Sequence, residues 1–220
     1  YGALPVMEGK AILFKEFANV DAYPICLNTQ DTEEIIQTIK NISVGFGGIN
    51  LEDISAPRCF EIEERLKKEL DIPVMHDDQH GTAIVVLSAI INALKIVRKD
   101  KVKVRVVVNG AGAAAIAITK LLMEFGFTGH NIIMVDSIGI IHHGRENLNL
   151  HKIHIAERTN KEKMSGGLKE ALVNADIFIG VSVANVLKPE WIETMADEPI
   201  VIAMANPNPE ISMEKDKKTK

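Results

Sequence analysis

Two pairs of acidic side chains follow short apolar segments of the sequence. Glu52 and Asp53 come after INL, and Asp77 and Asp78 come after IPVMH. If both segments are parallel strands, the acids lie at one edge of a sheet, where open α/β folds bind ligands. Carboxylates there would suit Mg²⁺ or Mn²⁺, which prefer oxygen ligands. Alternatively the acids only cap the helices that follow, because helix N-termini favour negative charge, and the spacing leaves both possibilities open.

Two histidines flank the second acidic pair, in the stretch HDDQHGTA. His76 and His80 have the i, i+4 spacing that binds zinc on a helix. Pro73 before them and Gly81 after them argue against a continuous helix, and the pattern HExxH is absent. We therefore expect loop histidines that orient the acids or hydrogen-bond to the backbone.

A glycine turn, GAGAAA, follows the Val-rich stretch VKVRVVVN and opens an apolar helical pattern. Glycine at the first and second motif positions allows a tight turn and close approach of a pyrophosphate, and alanine at the third allows the helix to pack on the strand. The alternative is a tight turn in a domain that binds no nucleotide. The surrounding strands and helix favour dinucleotide binding, and the predicted binding residues are Gly110, Gly112, Ala113, Ala114, Ala115, Asp136 and Ser137.

Asp136 ends the second predicted strand of this unit. Its carboxylate could accept hydrogen bonds from an adenosine ribose, and it could also form an Asx turn before Gly139. An acid here would repel a 2′-phosphate, and no arginine follows at once. These two features favour NAD over NADP.

Lys10 follows Gly9 and precedes the apolar helical pattern AILFKEF. Near a helix N-terminus, and partly buried, its pKa would fall, as a lysine acting as a general base requires. The alternative is a surface lysine on a helix, which is the commoner situation.

Apolar segments of strand length alternate with helical patterns along the chain, which predicts a parallel α/β fold. We expect a helix over 31–42 capped by Asp31, a helix up to Leu70 capped by Ser55, and a buried helix over 82–97. The nucleotide-binding pattern begins near residue 80. We therefore predict a metal- and substrate-binding domain over 1–80 and a cofactor-binding domain over 81–220.

The charge and composition exclude several classes of protein. A net charge of −5 argues against nucleic-acid binding, which needs a basic surface. No run of 18 uncharged apolar residues occurs, so we predict no membrane-spanning helix. Cys26 and Cys59 form no CxxC pattern, and we expect two buried free thiols in a reducing compartment. The chain begins with Tyr1 rather than Met, which suggests a fragment or a trimmed product.

Several blocks together resemble malic enzyme, in particular its shorter bacterial-type form. They are PVMEGKA, FGGINLEDISAPRCFEIE, HDDQHGTAIV, VVVNGAGAAAIAI, VDSIGI and AMANPNPEI, and the resemblance covers nearly all of residues 1–211. It implies a Rossmann-type domain for NAD or NADP, and the oxidation and decarboxylation of L-malate to pyruvate and CO₂ with Mg²⁺ or Mn²⁺. By match to the family motifs, Glu52, Asp53 and Asp78 are the metal ligands and Asp77 helps to orient the site. Lys10 is the catalytic base that contacts substrate, and Asn206 lies near nicotinamide and substrate.

The sequence departs from the family pattern in several places. The resemblance puts the family's catalytic tyrosine upstream of this chain, since neither Tyr1 nor Tyr23 matches it, and the chain ends before a later active-site region. Ala184–Asn185 replaces a Pro–Gly turn. Ile138 stands where NADP-preferring relatives often carry lysine, which favours NAD.

The sequence leaves three possible functions open. They are a malic enzyme, a malolactic enzyme that yields lactate from the same residues, and a fragment that binds cofactor without turnover. The resemblance also implies a homodimer or larger homo-oligomer. We expect a cytoplasmic location, or an organelle if a leader has been removed.

Overall fold

The computed structural model describes residues 2–212, so predictions made for Tyr1 fall outside the described residues. The chain forms two compact units that divide between Asp78 and Gln79. Each unit contains its own parallel sheet and its own apolar core. The predicted parallel α/β fold is confirmed.

The first unit is a strand–helix–strand arrangement preceded by two helices. Its two strands pair in parallel, with Leu51 opposite His76, so the residues that follow both strands emerge at the same edge. A 3₁₀ turn over Ser43–Gly45 precedes the first strand. The elements are α1 (Leu4–Ala18), α2 (Thr32–Ile42), β1 (Ile49–Leu51), α3 (Arg58–Glu69) and β2 (Val74–His76).

The capping prediction is confirmed for α2 and wrong for α3. The Asp31 carboxylate accepts the Glu34 backbone N–H at 2.9 Å, which satisfies one of the free N–H groups of the first turn. At α3, the Ser55 side chain forms no cap. Its backbone carbonyl instead accepts the Cys59 N–H at 3.2 Å, and Pro57 occupies the N-cap position. Apolar side chains of α2, α3 and both strands form the core.

The second unit is a four-stranded parallel sheet in the order β4-β3-β5-β6. The sequence does not predict α6 or α8, and a 3₁₀ turn over Gly129–Asn131 precedes β4. The elements are α4 (Asp77–Ile96), β3 (Val106–Asn109), α5 (Ala113–Glu124), β4 (Ile132–Val135), α6 (Leu150–Arg158), α7 (Leu168–Leu172), β5 (Ile177–Gly180), α8 (Pro189–Ile192) and β6 (Ile200–Ala203).

The strand order reverses between β3 and β5. The chain leaves β3 for β4 on one side and then returns to β5 on the other side. Such a reversal leaves a crevice beyond the carboxyl ends of the two strands, and open α/β sheets bind ligands there. The glycine turn that begins at Gly110 follows β3 directly, at this crevice.

Helix α4 differs from its predicted form in both start and burial. It begins at Asp77 rather than residue 82, and although Ala83, Val86 and Ile90 are buried, Ile84 is exposed. By length and composition α4 could cross a membrane, whereas the stricter sequence criterion of an uncharged run excludes it. This is weak evidence for a span, because the core helix of a soluble protein passes the same test.

The two cysteines lie in different environments. Both are free, but only Cys59 is buried, so the prediction of two buried thiols is wrong for the exposed Cys26. Burial raises the pKa of the Cys59 thiol to about 11, which keeps it neutral at ordinary pH. Cys59 is therefore a core residue and a poor nucleophile.

Candidate functional site

Three carboxylates converge at the carboxyl ends of β1 and β2. Glu52, Asp53 and Asp78 each offer an oxygen, and these oxygens lie within 4.8 Å of one another. The Asp53 N–H donates to Asp78 Oδ2 at 3.1 Å, and Asp53 adopts a left-handed φ of 55°. The structure thus brings together the acids that the sequence analysis proposes as metal ligands, while metal binding itself stays a prediction.

Helix capping accounts for only half of these acids. Asp77 and Asp78 are the first residues of α4, where the helix N-terminus favours their charge. Glu52 and Asp53 lie in the loop before α3, which begins at Arg58, and neither accepts a capping bond from it. The first-turn position therefore accounts for the acids that follow β2 but not for those that follow β1, and metal binding by the cluster stays a prediction.

Lys10 approaches this cluster from α1. Its Nζ donates a hydrogen bond to Asp77 Oδ2 and lies 2.5 Å from Glu52 Oε2. Partial burial opposes the charge, but the two carboxylates outweigh it and hold the pKa of Lys10 above its ordinary value. The prediction of a lowered pKa is therefore wrong for this arrangement. Lys10 also lies inside α1 (Leu4–Ala18) rather than at its N-terminus.

The carboxyl group of Glu52 is the least solvated of the cluster. Its Oε2 is buried and, among residues 2–212, accepts no hydrogen bond of good geometry, although Lys10 provides a charge partner. Burial raises the pKa of Glu52 above its ordinary value, and the nearby charges of Asp78 and Asp77 act in the same direction. A buried carboxylate among other acids would be stabilised by a further cation at this position.

The stretch HDDQHGTA is a strand end followed by a helix. His76 is the last residue of β2 and is fully buried, with Nε2 3.8 Å from Asp78 Oδ2. His80 lies within α4, which runs through Gly81, so the prediction of loop histidines is wrong. Because the helix starts after His76, the two histidines do not share a helical face, and the zinc alternative loses its basis.

The glycine turn has the geometry that a dinucleotide needs. Gly110 has φ +133°, and an added Cβ would lie 2.7 Å from the Val181 carbonyl oxygen, so only glycine fits between β3 and β5. A Cβ on Gly112 would meet nothing within 4 Å, which leaves open space over the helix N-terminus. Ala115 is buried against the sheet, whereas Ala113 and Ala114 are half-buried in the first turn.

Asp136 follows β4 as predicted, but its carboxylate is already engaged. Oδ1 accepts the Ile138 N–H at 3.0 Å, which confirms the Asx turn. Arg145 donates to both oxygens, and Lys152 Nζ donates to Oδ2 at 2.7 Å. Partial burial alone would raise the pKa of Asp136, but these donors hold it well below its ordinary value. Ser137 is exposed beside it.

The two cations change the argument for cofactor choice. Repulsion between Asp136 and a 2′-phosphate favours NAD only if the acid carries an uncompensated charge. Arg145 and Lys152 compensate it, so this basis for preferring NAD is wrong. Neither residue is adjacent to Asp136 in the sequence. Arg145 lies in the loop before α6 and Lys152 lies on α6, so the ion pairs are visible only in the folded unit.

A further set of side chains lies beyond β3, β5 and β6, and the sequence analysis missed it. Asn109 Nδ2 donates to Ser182 Oγ at 2.7 Å. The buried Glu210 accepts the Ser182 N–H and the Ala205 N–H, so the loop that carries the exposed Asn206 is fixed to its neighbour. Asn206 is the residue proposed to lie near the nicotinamide.

Comparison with known proteins gives the family. A model of the NAD binding domain of malic enzyme matches residues 79–218, and a model of the malic enzyme N-terminal domain matches residues 29–67. The chain belongs to the malic enzyme family. It is 59% identical over 214 residues to the NAD-dependent malic enzyme of Geobacillus stearothermophilus, covering 97% of this chain and 44% of that protein.

Other malic enzymes support the same assignment. The bifunctional malic/malolactic enzyme of Bacillus subtilis is 57% identical over 96% of this chain and 52% of its own length. The crystal structure of the NAD-dependent malic enzyme from Thermotoga maritima superposes with a TM-score of 0.94 at 52% identity, covering all of this chain and 58% of that one. The chain therefore spans about half the length of these three malic enzymes, and 27% of longer ones such as the NADP-dependent malic enzyme of Escherichia coli.

The family assignment confirms the predicted Rossmann-type, NAD-binding unit of the chain. Relatives at 46% identity and above include both NAD- and NADP-dependent malic enzymes, so membership leaves the choice between the two cofactors open. Asn185, which replaces the glycine of the family's Pro–Gly turn, has φ 60°. Asparagine tolerates this left-handed conformation better than most residues.

We expect the carboxylate cluster to bind Mn²⁺, and Asp78→Asn to weaken binding at least about tenfold because one charged ligand is lost. Isothermal titration calorimetry measures this, with Asp71→Asn, an exposed acid outside the cluster, as control. Because the pKa of Glu52 is raised, protons should compete with Mn²⁺ from a pH above the ordinary range of glutamate, and affinity should fall as pH falls. Equal binding by both variants would contradict the assignment.

We expect Lys152→Ala to reduce the use of NADP relative to NAD by about threefold to tenfold, because Arg145 alone then compensates the negative charge of Asp136. The measurement is the ratio of kcat/KM for the two cofactors in the protein that carries this chain. Lys161→Ala, an exposed lysine outside the cluster, serves as control. A ratio that is the same in both variants would show that the ion pair plays no part in cofactor choice.

Proposed function

We propose that the protein carrying this chain oxidises L-malate with NAD and decarboxylates it to pyruvate and CO₂, with help from a divalent metal ion. The observation that carries the proposal is the position of Lys10, against Glu52 and Asp77 and beside the carboxylate cluster. The chain's membership of the malic enzyme family supports L-malate as the substrate. The NAD binding domain supports the cofactor.

The residues present fit Mg²⁺ or Mn²⁺. Glu52, Asp53 and Asp78 supply three hard oxygen ligands, and the buried Glu52 Oε2 lacks a hydrogen bond among the described residues. When bound, the ion would act as a Lewis acid towards the oxygens of malate. Lys10 pairs with Glu52 and Asp77, while Asp53 and Asp78 add two further negative charges to the cluster, so an added positive charge would be favourable.

Lys10 is the proposed general base. As hydride leaves C2 of malate for the nicotinamide, the proton of the C2 hydroxyl passes to Lys10 Nζ, so the substrate loses two electrons and two hydrogens. Asp77 holds Nζ in place through its hydrogen bond. If a bound cation engaged Glu52, Lys10 would keep one carboxylate partner instead of two, and its pKa would fall towards the value that a base needs.

The remaining steps need further groups. Loss of CO₂ leaves an enol of pyruvate, and C3 must then receive a proton. We propose that Asn206, exposed in the loop after β6, contacts nicotinamide and substrate, and that the glycine turn and Ser137 contact the cofactor. We propose that Asp136 lies next to the adenosine ribose of the cofactor. Its ion pairs with Arg145 and Lys152 would hold the carboxylate in place there.

A malolactic reaction is the second candidate, because one relative at 57% identity is named a bifunctional malic/malolactic enzyme. The same residues would serve, and the product would be lactate. Assaying pyruvate and lactate separately in the same reaction mixture distinguishes the two reactions. Lactate without net NADH would favour the malolactic reaction.

We expect L-malate, NAD and Mn²⁺ to yield NADH and pyruvate, and EDTA to abolish the reaction. Lys10→Met should lower kcat at least about a hundredfold, because the base is lost, and should leave NADH binding unchanged. The matched control is Lys15→Met on the same helix, whose exposed side chain pairs with Asp21. If the unaltered protein binds NADH tightly but does not oxidise malate, the assignment of L-malate as substrate is wrong, while the assignment of the cofactor-binding unit stands.

We also propose a cytoplasmic homo-oligomer. Two free cysteines suit a reducing compartment, and α1 exposes Ile12, Leu13 and Phe17, an apolar surface of the kind that proteins cover by association. Light scattering after size-exclusion chromatography measures the mass, and a monomer at micromolar concentration would contradict the oligomer.

A further inference from the structure

A buried carboxylate connects the two loops that follow β5 and β6. Glu210 is fully buried, and its Oε1 accepts the Ser182 N–H at 2.9 Å, while its Oε2 accepts the Ala205 N–H at 3.0 Å. Among residues 2–212, no lysine, arginine or histidine forms an ion pair with it. Its partners are therefore backbone N–H groups and the Ser182 hydroxyl, which lies 3.4 Å from Oε1.

The close fit around this carboxylate shows that its position is specified. An added Cβ on Gly180 would lie 2.6 Å from each carboxylate oxygen of Glu210. The last residue of β5 can therefore only be glycine while Glu210 keeps its place. The absence of a side chain at the end of β5 is thus what makes room for the Glu210 carboxylate.

The two loops that Glu210 holds lie at the crevice where the strand order reverses. Ser182 also accepts a hydrogen bond from Asn109, the last residue of β3, directly before the glycine turn. Ala205 directly precedes Asn206. If the pyrophosphate lies over the glycine turn and the adenosine lies towards β4, the nicotinamide extends over β5 and β6, which are the strands whose loops Glu210 connects.

We propose that Glu210 is a positioning residue, whose carboxylate fixes the Ser182 and Ala205–Asn206 backbone in the arrangement that receives the nicotinamide end of the cofactor. This role rests on the proposed function only in that the cofactor is a nicotinamide dinucleotide. Glu210 touches neither cofactor nor substrate. It acts by holding the loops in one geometry before the ligand arrives, which reduces the ordering that binding requires.

The Glu210→Gln variant should fold, because backbone bonds hold the same segment independently. The Asn185 N–H donates to the Pro209 carbonyl and the Leu187 N–H donates to the Glu210 carbonyl, both at 3.1 Å. Glutamine keeps the shape of the side chain, but its amide nitrogen cannot accept a hydrogen bond. One of the two loops therefore loses its acceptor while the fold is retained.

The test compares the binding of NADH with that of ADP-ribose, which has the same adenosine and diphosphate but lacks the nicotinamide. We expect Glu210→Gln to weaken NADH binding about tenfold and to leave ADP-ribose binding within about twofold, since one charge-assisted hydrogen bond is lost on the nicotinamide side alone. Fluorescence titration measures NADH, and displacement of NADH measures ADP-ribose. Ser182→Ala, which removes only the hydroxyl, should cause a smaller change in the same direction.

Asn160→Asp is the matched control. Asn160 is also buried, and its amide nitrogen donates to the Ile141 and Met164 carbonyls, at a position that adjoins the start of β4 rather than the crevice. This variant loses comparable internal bonds through one isosteric change. It should lower Tm and leave the ratio of the two affinities unchanged.

The outcomes separate this role from the proposed function. The positioning role would be overturned if the ratio of NADH affinity to ADP-ribose affinity were unchanged in Glu210→Gln. It would also be overturned if Asn160→Asp changed that ratio equally. If the ratio changes as expected but the unaltered protein does not oxidise malate, the role of Glu210 stands and the proposed substrate fails. If malate is oxidised and the ratio does not change, the proposed function stands and Glu210 has only a structural role.

Discussion

Parallel pairing of strands decides which side chains of this chain can act together. Glu52 and Asp78 are separated by a whole helix in the sequence, yet they meet because β1 and β2 run in the same direction and end at the same edge. The same constraint brings Asn109 to Ser182 in the second sheet. Had either pair of strands been antiparallel, these groups would lie at opposite ends of the sheet, and no change of side chain could restore the site.

Acidic groups are stabilised in three different ways in the two units. Glu52 shares a lysine with Asp77, yet burial still raises its pKa, and the charges of Asp78 and Asp77 act in the same direction. Asp136 is surrounded by donors and its pKa is lowered, so its ion pairs contribute stability that is lost as pH falls towards its folded-state value. Glu210 relies on backbone N–H groups. The first arrangement is suited to bind a cation, and the other two to hold structure in place.

Local chemistry made some features predictable and left others hidden. The Asp31 cap and the glycine turn at Gly110 depend on neighbouring residues, and the sequence predicted both. The start of α4 was misplaced because Gly81 weakens a helix locally, whereas packing and the acids at the N-terminus support it. Lys152 and Glu210 gave no signal, since their partners are distant in the sequence or belong to the backbone. Sequence patterns predicted where acids cluster, but not which charges compensate them.

The contact between Gly180 and Glu210 also limits how this sequence can vary. Any side chain at position 180 would occupy the volume of the carboxylate, and a shorter or apolar residue at position 210 would leave two backbone N–H groups without an acceptor. A side chain at position 180 would therefore require a smaller residue at position 210, although 29 residues separate the two positions. A sequence library built on this scaffold should therefore vary positions 180 and 210 together, because a side chain at one competes for the volume of the other.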